Sequence, residues 1–399
     1  MLSRRVRQID PSETLRIAAM ARQLKEQGVD VIDLSVGEPD FPTPSNIKEA
    51  GKKAIDRNIT RYTPNPGLPE LRAAVAEKLR RDNNVSYEPD EIIISPGAKN
   101  CLFIAWMALL DEGHEVIIPS PYWVTYPQQV LLAGGKPVVI DTMEEDGFKL
   151  RPRALESVIN EKTKAIIINN PCNPTGTAYT RDELASLCTI AADRGLYIVA
   201  DEIYEKLVYD EFDFTSIGAL GEHIKQRAII INGVSKSYSM TGWRLGFAAA
   251  PREIIDAMNK IQSHNTSNAC SISQVAALEA LRGPQDDVTR MVREFQQRRD
   301  YMLSRLKEIP RISCVEPTGA FYVFPNFSAY YDTEYDGMHV RNSVELAHYL
   351  LTHANVAVVP GSAFGRDKYI RLSYAASMEE IRKAMDRIAD AVARLKPST

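Results

Sequence analysis

The residues best equipped for chemistry in this chain stand together in S-K-S-Y-S-M-T-G-W-R, Ser235 to Arg244. The stretch follows an apolar run, Ala228 to Ile231, that reads as a short buried strand, so Lys236 is expected where a strand ends and the backbone becomes irregular. Lys236 offers a primary amine, the serines and Thr241 offer hydroxyls, and Gly242 lets the backbone turn tightly. Arg244 adds a planar fork of donors suited to an oxyanion. Such a set suits a phosphorylated carbonyl compound. A solvated Lys and Arg flanking a polar loop is the alternative, and the stretch alone does not decide between them.

Three further motifs follow strand-like runs. After Ile92 to Ile94 comes S-P-G-A-K-N, Ser95 to Asn100, where Gly97 permits close approach and the amides of Ala98 and Lys99 would open a helix as an anion cradle. After Ala165 to Ile168 comes N-N-P-C-N-P-T-G, a turn-rich loop presenting the Asn173 amide. After Tyr197 to Val199 comes A-D-E-I-Y, with Asp201 at the strand end and Tyr204 three positions on. Singly each is weak: Asp201 reads equally as a helix cap, N-P-T-G as a common turn, Tyr204 as a core aromatic.

The elements that must position these residues follow from the hydrophobic pattern. Apolar runs at Ile92 to Ile94, Val116 to Ile118, Val138 to Ile140, Ala165 to Ile168, Tyr197 to Ala200, Ala228 to Ile231 and Leu245 to Ala249 alternate mostly with amphipathic stretches such as Arg181 to Arg194. Continuous runs of this length mark strands covered on both faces, so the expected fold class is α/β with a mainly parallel seven-stranded sheet and a smaller α+β domain. In open parallel sheets ligands bind beyond the carboxyl ends of the strands, where these motifs fall. After about residue 285 the pattern changes to a long helix, Asp286 to Leu306, hairpin-like strands around Gly319 to Phe324 and Val356 to Val359, and a last amphipathic helix, Ser377 to Leu395. The expected division is an N-terminal segment, 1–45, packing on the small domain, a large domain, 46–285, and the small domain, 286–399.

Composition narrows the partners. The 399 residues are 44% hydrophobic and 25% charged with a formal net charge of −4, and the pI is near 6.0. These values give no reason to expect nucleic acid or an anionic membrane as partner, so any cations that matter must be local. The basic N-terminus lacks the apolar segment of a secretory signal, and the longest apolar stretch, Cys101 to Leu110, is too short to span a membrane. Five cysteines, odd in number and without metal-ligand spacing, suit a reducing cytoplasmic interior, and Cys172 reads as a buried thiol rather than a nucleophile. No metal site is expected.

The ordered set of motifs strongly resembles the class I, fold type I, pyridoxal-phosphate aminotransferases, and among them the aspartate aminotransferase group that includes prephenate aminotransferases. The resemblance covers nearly the whole chain. It runs from V-G-E-P-D-F at Val36 to Phe41, through R-Y-T-P-N-P-G at Arg61 to Gly67, S-P-Y-W at Ser120 to Trp123, N-P-T-G, D-E-I-Y and S-K-S-Y-S-M-T-G-W-R-L-G, to R-L-S-Y-A at Arg371 to Ala375.

This resemblance implies that Lys236 carries pyridoxal 5'-phosphate and serves as acid and base, that Asp201 keeps the cofactor's pyridine nitrogen protonated, and that Tyr204 and Asn173 bond its phenolic oxygen. It implies Trp123 against the ring, and a phosphate held by Ala98, Lys99, Ser235 and Arg244, with Tyr62 reaching in from a second subunit of a homodimer. Position 235 is the most variable of these in the resembling enzymes. Arg371 is implied as the clamp on the substrate α-carboxylate, and Gly37 as part of a segment folding over the substrate. The second arginine of animal-type aspartate enzymes has no clear counterpart here. Lys99 is the nearest candidate for the distal carboxylate, with a plain helix-start lysine or a phosphate ligand as its other readings. Thr14 accompanies that lysine in enzymes that also use prephenate, and Arg16 is expected near enough to assist.

The expected activity is therefore amino transfer between aspartate or glutamate and 2-oxo acids by a ping-pong mechanism, with likeness to enzymes that also convert prephenate. An alanine or aromatic aminotransferase is the runner-up, followed by a β-lyase. The same domain serves as an effector sensor in some transcription regulators, but the 36 residues before Gly37 leave no room for a DNA-binding domain. A nicotinamide dehydrogenase would need a G-x-G-x-x-G turn opening a helix, which the sequence lacks.

Overall fold

The computed structural model describes every residue except Met1, Ser12 and Thr399. Its centre is a seven-stranded sheet of β1 (Ile92–Ser95), β2 (Glu115–Ser120), β3 (Lys136–Asp141), β4 (Thr163–Asn169), β5 (Tyr197–Asp201), β6 (Ala228–Gly233) and β7 (Gly246–Ala249). Their spatial order is β1-β7-β6-β5-β4-β2-β3. Neighbours are parallel except at β7, which runs antiparallel to β1 and β6. Each apolar run in the sequence became one of these strands.

The period of two along a strand decides the layers. Ile92, Ile94, Ile166, Ile168, Ile198 and Ile230 face one core, while Ile93, Ala165, Ile167, Val199, Ile229 and Ile231 face the other. All are essentially removed from water, each worth about 1.5–3 kcal/mol for the larger side chains. Helices Ala98–Leu109 and Arg252–Asn265 cover the second face with Leu102, Trp106 and Met258. Helices Pro69–Asn83, Arg181–Asp193 and Ser271–Arg282 cover the first. Arg181–Asp193 begins where Thr180 and Glu183 form a reciprocal capping box that satisfies two otherwise orphaned amides.

Beyond these layers, helix Asp286–Glu308 packs on the final helix Met378–Arg394, which opens with its own Ser377/Glu380 capping box. The strands in this region do not form the expected hairpin. Tyr322–Val323 pairs antiparallel with Ile370–Ser373, which also pairs with Val359–Pro360, while Val356–Ala357 pairs parallel with Ile32–Asp33 near the N-terminus. Pairing across such separations leaves no local turn signal to read. The N-terminal helix Glu13–Glu26 lies against Val356–Ala357 and Val359–Pro360, whereas Asp10 bonds Gln128 beside the large sheet. Among the described residues no helix is long and apolar enough to cross a membrane.

Candidate active site

The carboxyl ends of β1, β4, β5 and β6 open into one cavity of about 570 Å³. Pairing fixes what meets there. Asp201, the last residue of β5, lies between Asn169 of β4 and Ile231 of β6, and two residues beyond Ile231, Gly233 pairs with Gly246, which pairs with Ser95 of β1. Asp201 accepts from the Tyr126 hydroxyl at 2.7 Å and from the Ile203 amide at 3.3 Å. Burial pushes its carboxyl up to about 6, against the pull of those donors and of Lys236.

Lys236 follows β6 and reaches solvent only in part. Burial, aided by the charges of Arg371 and Arg244, draws its amine down to about 8, while Glu38 and Asp201 oppose the shift. The ammonium donates to the Gly37 carbonyl. Tyr204 is buried on the turn after β5, its hydroxyl 3.0 Å from that of Tyr322. Burial and then Tyr322 hold its phenol well above the ordinary value.

A second part of the cavity is built to receive an anion. Helix Ala98–Leu109 starts there, and the first-turn amides of Ala98 and Lys99 have no earlier helical carbonyl to meet. Gly97, at φ +88°, lets Arg244 close in: a Cβ at that position would stand 2.7 Å from an Arg244 guanidinium nitrogen. A Cβ at Gly246 would stand 2.3 Å from the Ala98 nitrogen, so only glycine on β7 lets the helix start pack this close to the sheet. Buried Ser235 also lines the cavity. Lys99 stands 4.8 Å over the Trp123 ring, and crowding by the cavity walls, then Arg244, lowers its pKa.

The opposite wall comes from far along the chain. Arg371, on the strand Ile370–Ser373, is buried, donating to Asn173 Oδ1 at 3.0 Å and to the Ser35 carbonyl at 2.6 Å. Its Nε is buried without a partner. The Tyr322 ring lies 4.4 Å from the guanidinium. A buried cation held on two sides with a donor left over is poised for an anionic ligand. Thr14 and Gly37 complete this wall.

Every candidate side chain therefore reaches the same cavity except Arg16 and Tyr62, the latter 92% exposed. The expectation for Arg16 is corrected. Its guanidinium lies 3.8 Å from Met20 Sδ and is not among the lining groups. Two residues beyond Thr14 is about 200° around a helix, which turns Arg16 away. Thr14, Ala18, Arg22 and Lys25, three or four residues apart, share the lining face instead. Reading the sequence also passed over Tyr126, Asn169 and Tyr322. Tyr126 carried a local signal, one helical turn after Trp123 and edge-on to it at 5.4 Å; Asn169 sits in the quoted loop and bonds the Asn173 amide at 2.7 Å. Tyr322 had no such signal.

A sheet of this order, with a lysine, a buried carboxylate and an anion cradle at its carboxyl ends, makes a site suited to an anionic carbonyl cofactor, and comparison with known proteins gives the family. Residues 29–388 match the family described as aminotransferase class I and II. The chain belongs to that family. It is 48% identical over 389 residues to an aspartate aminotransferase of Bacillus sp. (strain YM-2), covering 97% of this chain and 98% of that protein. It is 47% identical to the aspartate/prephenate aminotransferase of Cereibacter sphaeroides, covering 97% of each. The solved structure of the Rhizobium meliloti aspartate aminotransferase superposes with a TM-score of 0.96 at 43% identity, over 99% of this chain and 100% of that one. These enzymes depend on pyridoxal phosphate. The residues here fit it: an anion cradle of the Ala98 and Lys99 helix start, Ser235 and Arg244, a buried carboxylate, and an amine shifted toward neutrality.

Proposed function

We propose that this aminotransferase moves the amino group between aspartate or glutamate and their 2-oxo acids in a two-stage ping-pong cycle, and that it also accepts prephenate. The observation that carries the reading is the convergence, in one cavity, of the Lys236 amine, the Asp201 carboxylate and the Arg371 guanidinium with its spare Nε. The bound cofactor supplies an electron sink for the bonds at the substrate α-carbon.

The chain's own residues divide the remaining work. With a pKa near 8, the Lys236 amine is neutral often enough to attach the cofactor and to take and return the α-proton. Asp201 holds the positive charge of the pyridine nitrogen, and that partner would in turn favour the ionised carboxylate. Tyr204 and the Asn173 amide nitrogen, whose oxygen is engaged by Arg371, orient the phenolic oxygen. Trp123 covers the ring. Ala98, Lys99, Ser235 and Arg244 hold the phosphate. Arg371 takes the α-carboxylate bidentately. Lys99 and Thr14 meet the distal group, a reading supported by their place in the cavity and by the names of the relatives.

The same reading makes the enzyme a homodimer in which Tyr62 serves the partner subunit's phosphate, in keeping with its exposure here. It divides the chain into 1–45, 46–285 and 286–399, supported by the pairing of Ile32–Asp33 with Val356–Ala357. It places the enzyme in the cytoplasm, supported by five unpaired cysteines. The test of function is a panel of amino donors and 2-oxo acids, prephenate included, compared by kcat/KM. Aspartate and glutamate should exceed alanine and phenylalanine; a preference for the uncharged pair would overturn the reading.

A further inference from the structure

The cavity and the chain differ in charge. The whole sequence carries a formal net charge of −4, yet the cavity is lined by six cations, Arg22, Lys25, Lys99, Lys236, Arg244 and Arg371, against three carboxylates, Asp33, Glu38 and Asp201. All three carboxylates are already engaged: Asp33 by the Ser35 hydroxyl at 2.6 Å, Glu38 by the Thr241 hydroxyl at 2.7 Å and Asp201 by the Tyr126 hydroxyl at 2.7 Å. Of the cations, four have roles in the proposed reaction. Arg22 and Lys25 have none.

Both are exposed, so they stand at the solvent edge of the cavity. Neither makes an ion pair or side-chain hydrogen bond among the described residues. Their helix, Glu13–Glu26, buries Ile17 and Ala21 and turns Thr14, Ala18, Arg22 and Lys25 along the cavity. At 1.5 Å per residue, the row from Thr14 to Lys25 runs for about 16 Å. Side chains on a helix lean toward its N-terminus, so the two long cations incline toward Ala18 and Thr14, and the small Ala18 leaves the way between them open. Cations arranged along a concave wall focus field lines and raise the local concentration of anions.

We propose that Arg22 and Lys25 form an outer capture site for dicarboxylic acids, a pair of charges that selects substrates of net negative charge on approach before any contact with Arg371 or Lys99. The inference rests on the aspartate reading above and deepens it by adding a second, kinetic level of selectivity. An exposed pair cannot hold a carboxylate tightly, since water and salt screen it. It acts by enriching acids of net negative charge at the mouth, which lowers KM and leaves the chemical step alone. A donor such as alanine, a zwitterion of zero net charge at neutral pH, gains almost nothing from it.

The experiment compares cofactor-loaded wild type with the double variant Arg22→Gln/Lys25→Gln, using aspartate and alanine over a range of salt. The expected result is a fall of about tenfold in kcat/KM for aspartate at low ionic strength, carried by KM with kcat held, against less than about twofold for alanine. The difference should close by about 0.5 M salt. A second readout needs no turnover: the association rate of succinate, followed by the absorbance of the bound cofactor, should fall in parallel. Arg22→Lys/Lys25→Arg should restore both. Arg293→Gln/Lys307→Gln, which removes the same charge from exposed positions outside the cavity, should change neither.

Equal falls for aspartate and alanine, an unchanged salt slope in the double variant, or an equal effect from the remote pair would each overturn the proposal. If wild type prefers aspartate and the double variant keeps its salt slope, only the capture site fails. If wild type prefers alanine, the aspartate reading falls and takes the capture site with it.

Discussion

The two walls of the cavity are held by different means. On the sheet side, Asp201 sits in register between Asn169 and Ile231, its carboxylate is bonded by Tyr126 and Ile203, and the strands around it are buried on both faces. On the other side, the chain carrying Thr14 and Gly37 is tied to the C-terminal region through a two-residue strand, Ile32–Asp33, and a helix whose cavity face ends in exposed Arg22 and Lys25. The contrast separates two tasks. Groups that move protons or hold charge must be fixed to fractions of an ångström and removed from water, which a sheet end provides. Groups that choose among substrates need only present charge at a boundary, and a lightly tied segment suffices. Arg371 joins the walls, since it bonds both Asn173 and the Ser35 carbonyl.

Among the groups that hold the substrate, that junction gives the largest expected effect. Arg371→Leu leaves an anionic α-carboxylate in a buried site without its partner, a loss of about 4 kcal/mol, or roughly 10³-fold in kcat/KM. The fall should be the same for aspartate and alanine, because both carry that carboxylate; a loss confined to one of them would move Arg371 to the selecting wall.

The sheet wall should carry a measurable instability. The carboxyl of Asp201 lies near 3.8 in an unfolded chain and about 6 in the fold, so the folded state favours the proton and the ionised form costs stability above pH 6. A shift of this size corresponds to about 3 kcal/mol. Without cofactor, Asp201→Asn should therefore melt higher than wild type at pH 7.5 by a margin that vanishes below about pH 4, where both states bind the proton. A margin independent of pH would show that burial of the charge is not its source.

For the groups that select among substrates the effects shrink. Lys99 is exposed to the cavity rather than sealed, so Lys99→Ala should lower kcat/KM for aspartate and prephenate by about 2 kcal/mol, roughly 30-fold, with alanine and phenylalanine far less affected. An equal loss for all donors would assign Lys99 to the phosphate. Smallest is Thr14→Val, which removes one hydroxyl contact worth about 1 kcal/mol and should weaken prephenate more than aspartate. Equal weakening of the two would leave Thr14 without a part in choosing the larger substrate.

The same division explains what could be read from the residues alone. The sheet announced itself because strands buried on both faces are unbroken runs of Ile, Val and Ala, and the chemical residues follow directly at their ends. The junction was less visible. Ser35 meets Arg371 from 336 residues away, and Tyr322 meets Tyr204 from 118 away, neither inside a local pattern. The pairings of Tyr322–Val323 with Ile370–Ser373 and of Val356–Ala357 with Ile32–Asp33 escaped for the same reason, their partners being distant rather than hairpin neighbours. The selecting wall was misread at Arg16 although the signal was present. Helical spacing from Thr14 leads to Ala18, Arg22 and Lys25, and a nearby number in sequence is not a nearby place on a helix.

The central claim is that Lys236, at the end of β6, is the lysine that carries the cofactor and the proton. Reduction of the loaded enzyme with borohydride, followed by peptide mapping, tests it directly. The pyridoxyl group should be found on Lys236 alone, and Lys236→Ala should hold no covalent cofactor and transaminate at least about 10⁴-fold more slowly. A pyridoxyl group on Lys99 or any other lysine, or wild-type turnover in Lys236→Ala, would contradict it.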